Sequence, residues 1–277
     1  MSMAIRFRSA RIQAKREFRS TLTGPGIYVV LSLIFFGVSL GYFRNRLLEV
    51  AEQGVINILN PGQTPWFYAI GLAALYLGVC AAISISRERD MGTLEVLFYG
   101  PVDSLSYVMG KYAQQMMAFG VVLVFALINF YVVNTVTNLG MSNVLGLVVL
   151  SIFLTSAIIS FGILLSALTK RMTVSIILFL GLNLFFFAFT TAHLFLQSLS
   201  AMGVELSPVF VFIRSLLDNT NFIVEWISPL SYFLRGSRAL SMGDTGQYLL
   251  SLLSSAIYTV VALALSVGAF NWKGVRR

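Results

Sequence analysis

Apolar residues in this chain fall in long unbroken runs, neither the alternation of a half-buried strand nor the one-sided stripe of a surface helix. Several runs approach or exceed the roughly 20 residues that an α-helix needs to cross the hydrocarbon core of a bilayer. Run length and flanking turn signals predict six spans, at 27–43, 66–86, 112–136, 144–168, 173–196 and 249–270. Gly24-Pro25-Gly26 opens the first, with Pro25 in the first turn, where a missing N–H costs nothing. Arg44, Arg46, Glu49 and Glu52 mark a polar loop closed by Asn60-Pro61-Gly62, and Trp66 with Tyr68 supplies interfacial aromatics as the chain re-enters. A short polar turn at 138–143 separates spans three and four, and Lys170-Arg171 caps the fourth. The predicted fold is an all-α integral membrane protein, with no internal repeat and no soluble domain.

Two stretches depart from this pattern. Over residues 1–22, Met3, Phe7, Ala10, Ala14, Phe18 and Leu22 recur at helical spacing among Arg6, Arg8, Arg11, Lys15, Arg16 and Arg19. That describes a basic amphipathic helix lying in the headgroup region. Ile5 and Ile12 fall off the stripe, which leaves an ordinary basic flank as the alternative. Residues 197–247 are mixed, with apolar patches at 209–213 and 222–234 cut into by Pro208 and Pro229. Neither patch spans alone; both are expected as short interfacial or re-entrant helices on the outer face, with their free backbone groups buried in protein or wet.

Composition sharpens the class. The chain is 57% hydrophobic and 11% charged, against roughly 45–50% and about 25% in a soluble domain, so water is not its only solvent. A net charge of +8 would suggest nucleic acid in a soluble protein, but these Lys and Arg are dispersed between apolar runs and form no single patch, so no nucleic-acid partner is expected. The dispersal sets orientation instead. Residues 1–22, the second-to-third and fourth-to-fifth connections and the tail hold most of the basic residues, leaving Arg44, Arg46, Arg214, Arg235 and Arg238 on the other face. By the positive-inside rule both termini are cytoplasmic. Cys80 is the single cysteine and His193 the single histidine, so no intrachain disulfide, metal site or catalytic dyad is expected. His193, Asn129, Asn134 and Asn183 are expected as satisfied polar or interhelical contacts. Phe185, Phe186, Phe187 and Phe189 suit packing better than a greasy substrate path.

The charged run between spans two and three reads Arg87-Glu88-Arg89-Asp90-Met91-Gly92-Thr93-Leu94-Glu95-Val96-Leu97-Phe98-Tyr99-Gly100-Pro101. Gly92 weakens any continuation of span two, Thr93 can act as an N-cap, and Gly100-Pro101 forces a stop, so 93–99 is predicted as a short separate helix. Such a helix either lies on lipid headgroups or inserts into a groove of a soluble partner; charges that only enforce topology are the plainer reading. The run resembles the first cytoplasmic loop of type-2 ATP-binding-cassette (ABC) transporter permeases, which reads acidic-x-x-x-Gly-Thr-Leu-Glu, then Leu and Pro, then Gly-Lys. The matching positions are Glu88, Gly92, Thr93, Leu94, Glu95, Leu97, Pro101, Gly110 and Lys111. In outline the resemblance covers the whole chain, including Ile227-Ser228-Pro229-Leu230 before the last span.

The resemblance implies that 93–99 is a coupling helix docking on a separate nucleotide-binding ATPase subunit through Glu88, Gly92, Thr93, Leu94, Glu95, Val96, Leu97, Phe98 and Pro101. Arg87, Arg89, Gly110 and Lys111 would support the loop. It further implies two permease protomers, alike or different, lining the path in the cytoplasmic membrane, with ATP and Mg2+ on the partner and no enzymatic activity in this chain by itself. No Gly-x-x-x-x-Gly-Lys-Ser/Thr loop occurs in the sequence; Gly110-Lys111 lacks the preceding glycine spacing and the following hydroxyl.

An exporter is favoured, since the Glu-Ala-Ala, Gly, Ile-x-Leu-Pro loop of importer permeases is not seen. An ion-coupled carrier should place ionisable groups at mid-membrane, whereas every Asp and Glu lies in a predicted loop or at a span end. An intramembrane enzyme needs a nucleophile and base, or metal ligands, within mutual reach, and no such set is found. A six-span protein without transport remains the other alternative. No residue is assigned to substrate.

Overall fold

A backbone at bilayer depth has no water to satisfy it, so long apolar runs become helices. A computed structural model describes residues 18–19, 24–51, 63–94, 103–137, 143–202 and 207–273. Among them stand eight helices: α1 (Pro25–Ala51), α2 (Gln63–Asp90), α3 (Ser104–Thr137), α4 (Val144–Leu168), α5 (Met172–Ala201), α6 (Pro208–Ile227), α7 (Pro229–Met242) and α8 (Thr245–Lys273). Among the described residues α2, α3, α4, α5 and α8 are long and apolar enough to cross a membrane, and α1 adds a shorter apolar stretch, Pro25–Gly41. The chain is a multi-pass membrane protein.

Only α4 keeps the bounds its apolar run predicts; the other spanning helices outlast theirs. α1 continues through Arg44, Arg46 and Glu49, which were expected in a loop, and α2 carries Arg87, Glu88, Arg89 and Asp90 as helix. α3 begins about two turns before its apolar run, so Gly110 and Lys111 are helical, not loop, residues. Each residue added to an existing helix gains a hydrogen bond at little entropic cost, so a helix runs past the hydrocarbon boundary until something stops it. For α2 the stop is Gly92, at φ +70°, a left-handed conformation that only glycine adopts cheaply. For α3 the start is Asp103, whose Oδ1 accepts the Ser106 N–H at 3.1 Å.

The two apolar patches expected in 197–247 do fall in two helices, but not one each: the second patch is divided between α6 and α7. α6 is one helix of 20 residues that runs through Arg214 and Asp218, which pair one turn apart at 3.6 Å and keep the polar side of the helix continuous. The break comes at Ser228-Pro229, and Pro229 takes the first position of α7. Of the expected 1–22 amphipathic helix, all but Phe18 and Arg19 lies outside the described residues, as does the tail beyond Lys273.

α4 is the centre of the bundle. It packs most extensively on α2, then on α8, and also touches α3, α5 and α7. The α2–α4 seam is built from small residues. A Cβ on Gly162 would stand 2.5 Å from the Gly78 carbonyl oxygen and 3.2 Å from the Ala82 nitrogen, so the two backbones touch, as small residues allow in a membrane. Below the seam Ser166 Oγ accepts the N–H groups of Ile85 and Ser86 at 3.0 and 2.9 Å. Ser175 of α5 donates to the Ala82 carbonyl at 2.6 Å. At the far end of α2, Trp66 donates to Ser151 Oγ at 3.0 Å and stands edge-on to Phe130. Tyr112, Ser156 and Thr259 form a hydroxyl chain, at 2.7 and 3.1 Å, across α3, α4 and α8.

The asparagines depart from expectation. Asn183 bonds back to Phe179 O in its own helix at 2.8 Å and not across to a neighbour, a bond always available one turn back. Asn129 is buried with neither amide atom partnered among the described residues. The phenylalanines of α5 divide: Phe186 packs inward, while Phe185 and Phe187 face out.

Candidate functional site

Three consecutive residues at the end of α2 reach in three directions. Glu88 turns to α3, where Lys111 Nζ meets Oε1 at 2.5 Å and the Tyr107 hydroxyl donates to Oε2 at 2.5 Å. Lys111 is only 4% exposed. A buried ammonium needs a paired, hydrogen-bonded counter-charge, which Glu88 supplies. Tyr107 and Lys111 lie four residues apart, hence on one face of α3, and the ammonium also stands 5.5 Å from the Tyr107 ring centroid.

Arg89 turns to α4. Its Nη1 donates to the carbonyl oxygens of Ala167 and Thr169 at 3.1 and 2.8 Å. The last carbonyls of a helix have no intrahelical partner and carry partial negative charge, so a guanidinium is suited to them. The same guanidinium lies 5.9 Å from the ring centroid of Phe270 on α8, and Phe270 in turn packs on Tyr107 with centroids 5.5 Å apart. Asp90 turns to α5: its Oδ2 accepts the Met172 N–H at 3.4 Å, a carboxylate at a helix N-terminus.

The N–H groups that Thr93 would cap at the start of 93–99 lie outside the described residues. The Thr93 hydroxyl donates to the Glu88 carbonyl at 3.1 Å, closing the C-terminal end of α2 with the Gly92 turn. Thr93 and Leu94 are helical where the described stretch ends, and Leu94 is 6% exposed, packed into the core cluster. Glu95, Val96, Leu97, Phe98 and Pro101 lie outside the described residues. Arg87 is exposed, and Gly110 sits one residue before the buried Lys111 in α3.

Sequence reasoning named Glu88, Arg89 and Lys111 but missed Tyr107, Asp90 and Phe270. Tyr107 was within reach of it, because one helical turn separates it from Lys111. Phe270 was not, because its nearness to Arg89 depends on how α8 returns to the same end of the bundle.

A second polar group ties α5 to α6. His193 Nε2 meets Asp218 Oδ1 at 2.9 Å, with Gln197 at 3.3 Å from the same nitrogen and Arg214 on the other carboxylate oxygen. The lone histidine is a satisfied contact, as expected. α7 is fixed beside it by the Tyr232 hydroxyl, which donates to Trp226 O at 2.7 Å. Among the described residues no group of three or more His, Cys, Asp or Glu gathers where it could hold a metal ion.

The arrangement ties the end of α2 to α3, α4 and α5 by hydrogen bonds and to α8 by a cation–ring contact. No curated protein matches this sequence. The family profile described as ABC-2 family transporter protein matches residues 11–275, nearly the whole chain, and the chain belongs to that family of ABC transporter membrane subunits.

Proposed function

We propose that this chain is the membrane-spanning permease subunit of an ABC exporter, forming the path as a dimer and driven by a separate ATPase subunit. In this reading α1, α2, α3, α4, α5 and α8 are the six spans, and α6 with α7 lies at the outer face. Both termini and the 91–103 connection face the cytoplasm across the cytoplasmic membrane. The distribution of Lys and Arg supports that orientation.

The observation that carries the reading is the braced start and end of the α2–α3 connection in a chain of this family. A lever passes on a push only if its fulcrum is held. Residues 93–99 act as the coupling helix and meet the ATPase subunit through Glu88, Gly92, Thr93, Glu95, Val96, Leu97, Phe98 and Pro101. Leu94 anchors it inward. ATP and Mg2+ belong to that partner. Among the described residues of the five long spanning helices, carboxylates occur only at the end of α2, which favours ATP over an ion gradient as the energy source.

The full-length chain purified from its native membrane should bring with it an ATP-hydrolysing subunit, and Leu97→Asp should reduce that recovery at least tenfold without lowering chain abundance. Recovery of the wild type with no ATPase, or export that follows an imposed ion gradient and ignores ATP, overturns the reading.

A further inference from the structure

Neither the family nor the coupling reading says how a push on one connection reaches helices not attached to it. Only α2 and α3 are joined to 91–103 by the chain. Yet Glu88 holds α3 through Tyr107 and Lys111, Arg89 holds the carbonyl end of α4 and faces Phe270 of α8, and Asp90 holds the first N–H of α5. Three successive side chains on a helix point about 100° apart, so one turn can address helices on three sides. Phe270 is 2% exposed and lies between Arg89 and Tyr107, which closes α2, α3 and α8 into one contact group.

From this we infer that Glu88, Arg89 and Asp90 form a distributor, a set of positioning residues through which movement of the 91–103 connection reaches α3, α4, α5 and α8 together. The inference rests on the proposed ATP-driven function and specifies its transmission. The arms differ in chemistry, and Phe270 joins the Glu88 and Arg89 arms at α8. The Glu88 arm is an ion pair buried on its lysine side, the Arg89 arm is a helix-end carbonyl clamp, and the Asp90 arm is a helix-start contact. Cutting one arm should therefore damp its own helix more than the others, since α4 and α5 also touch α2 through the Gly162 seam, Ser166 and Ser175. A merely structural role would weaken the whole bundle alike.

The test is hydrogen–deuterium exchange on the full complex with its ATPase subunit in lipid nanodiscs, nucleotide-free against vanadate-trapped, read helix by helix. The wild type should show nucleotide-dependent differences in α3, α4, α5 and α8. Arg89→Met should remove more than half of the difference in α4 and α8, keep that in α3, and leave ATP hydrolysis running without export. Tyr107→Phe with Lys111→Met should do the reverse, losing α3 and keeping α5. If Arg89→Met does not assemble, Phe270→Leu replaces it: it removes the ring contacts of α8 with Arg89 and Tyr107 and should lower the α8 difference while keeping that in α4. Wild-type differences preserved in every variant overturn the distributor alone. Differences lost uniformly across all helices reduce these residues to structural ones and overturn it too. A wild-type chain with no ATPase partner overturns the underlying function, and the distributor with it.

Discussion

Lys111 shows how a single residue changes meaning with its neighbours. In the sequence it closes a motif; in the structure it is an ammonium almost sealed from solvent, held by a carboxylate and facing a phenol ring. Lys111→Met should lower stability in detergent by about 1–3 kcal/mol, less than a fully buried pair would lose because Glu88 keeps some access to water. A chemical-unfolding midpoint measures it, and a double-mutant cycle with Glu88→Gln should recover part of the loss. The motif positions were legible because charged residues in a greasy chain stand out. Their contacts were not, because Tyr107 and Phe270 look like any other aromatics until α3 and α8 are placed beside α2. The bond that the Thr93 hydroxyl donates to the Glu88 carbonyl was not legible either: a hydroxyl beside a glycine can close the helix before it as well as open the one after.

At the scale of elements, apolar run length gave the existence of the spanning helices but not their ends. It succeeded fully at α4, the most buried of the long apolar helices, and fell short wherever a helix continues past its apolar run, as α2 and α3 do. α6 failed differently: Arg214 and Asp218 looked like interruptions, but charges one turn apart pair along a helix and do not end it. The α2–α4 seam leads to a sharper expectation. With the Gly78 carbonyl 2.5 Å from where a Cβ would sit, Gly162→Val must push the two backbones apart and break the bonds that Ser166 makes to α2. The cost should be about 2–4 kcal/mol, from overpacking and lost hydrogen bonds together, read as a lowered melting temperature in detergent. Gly37, which has open space around it, should accept Ala with little change.

For the whole molecule, the proposed orientation rests on the distribution of Lys and Arg and is open to direct measurement. In a Cys80→Ser background, cysteines introduced at Asn219 and Leu249 should react with a membrane-impermeant maleimide from outside intact cells, and cysteines at Asp90 and Lys170 only after permeabilisation. The opposite pattern would overturn the proposed orientation. α6 deserves a last thought. None of its residues is buried, and Phe210, Phe212, Phe222 and Trp226 all stand half exposed or more, while His193 and the turn at Ser228-Pro229 fix where it lies. Such an oily rod needs an apolar cover that the described residues of one chain do not supply, whether acyl chains or a second protomer. Whatever supplies that cover is a working part of the particle, and a preparation that strips it should lose order first at α6.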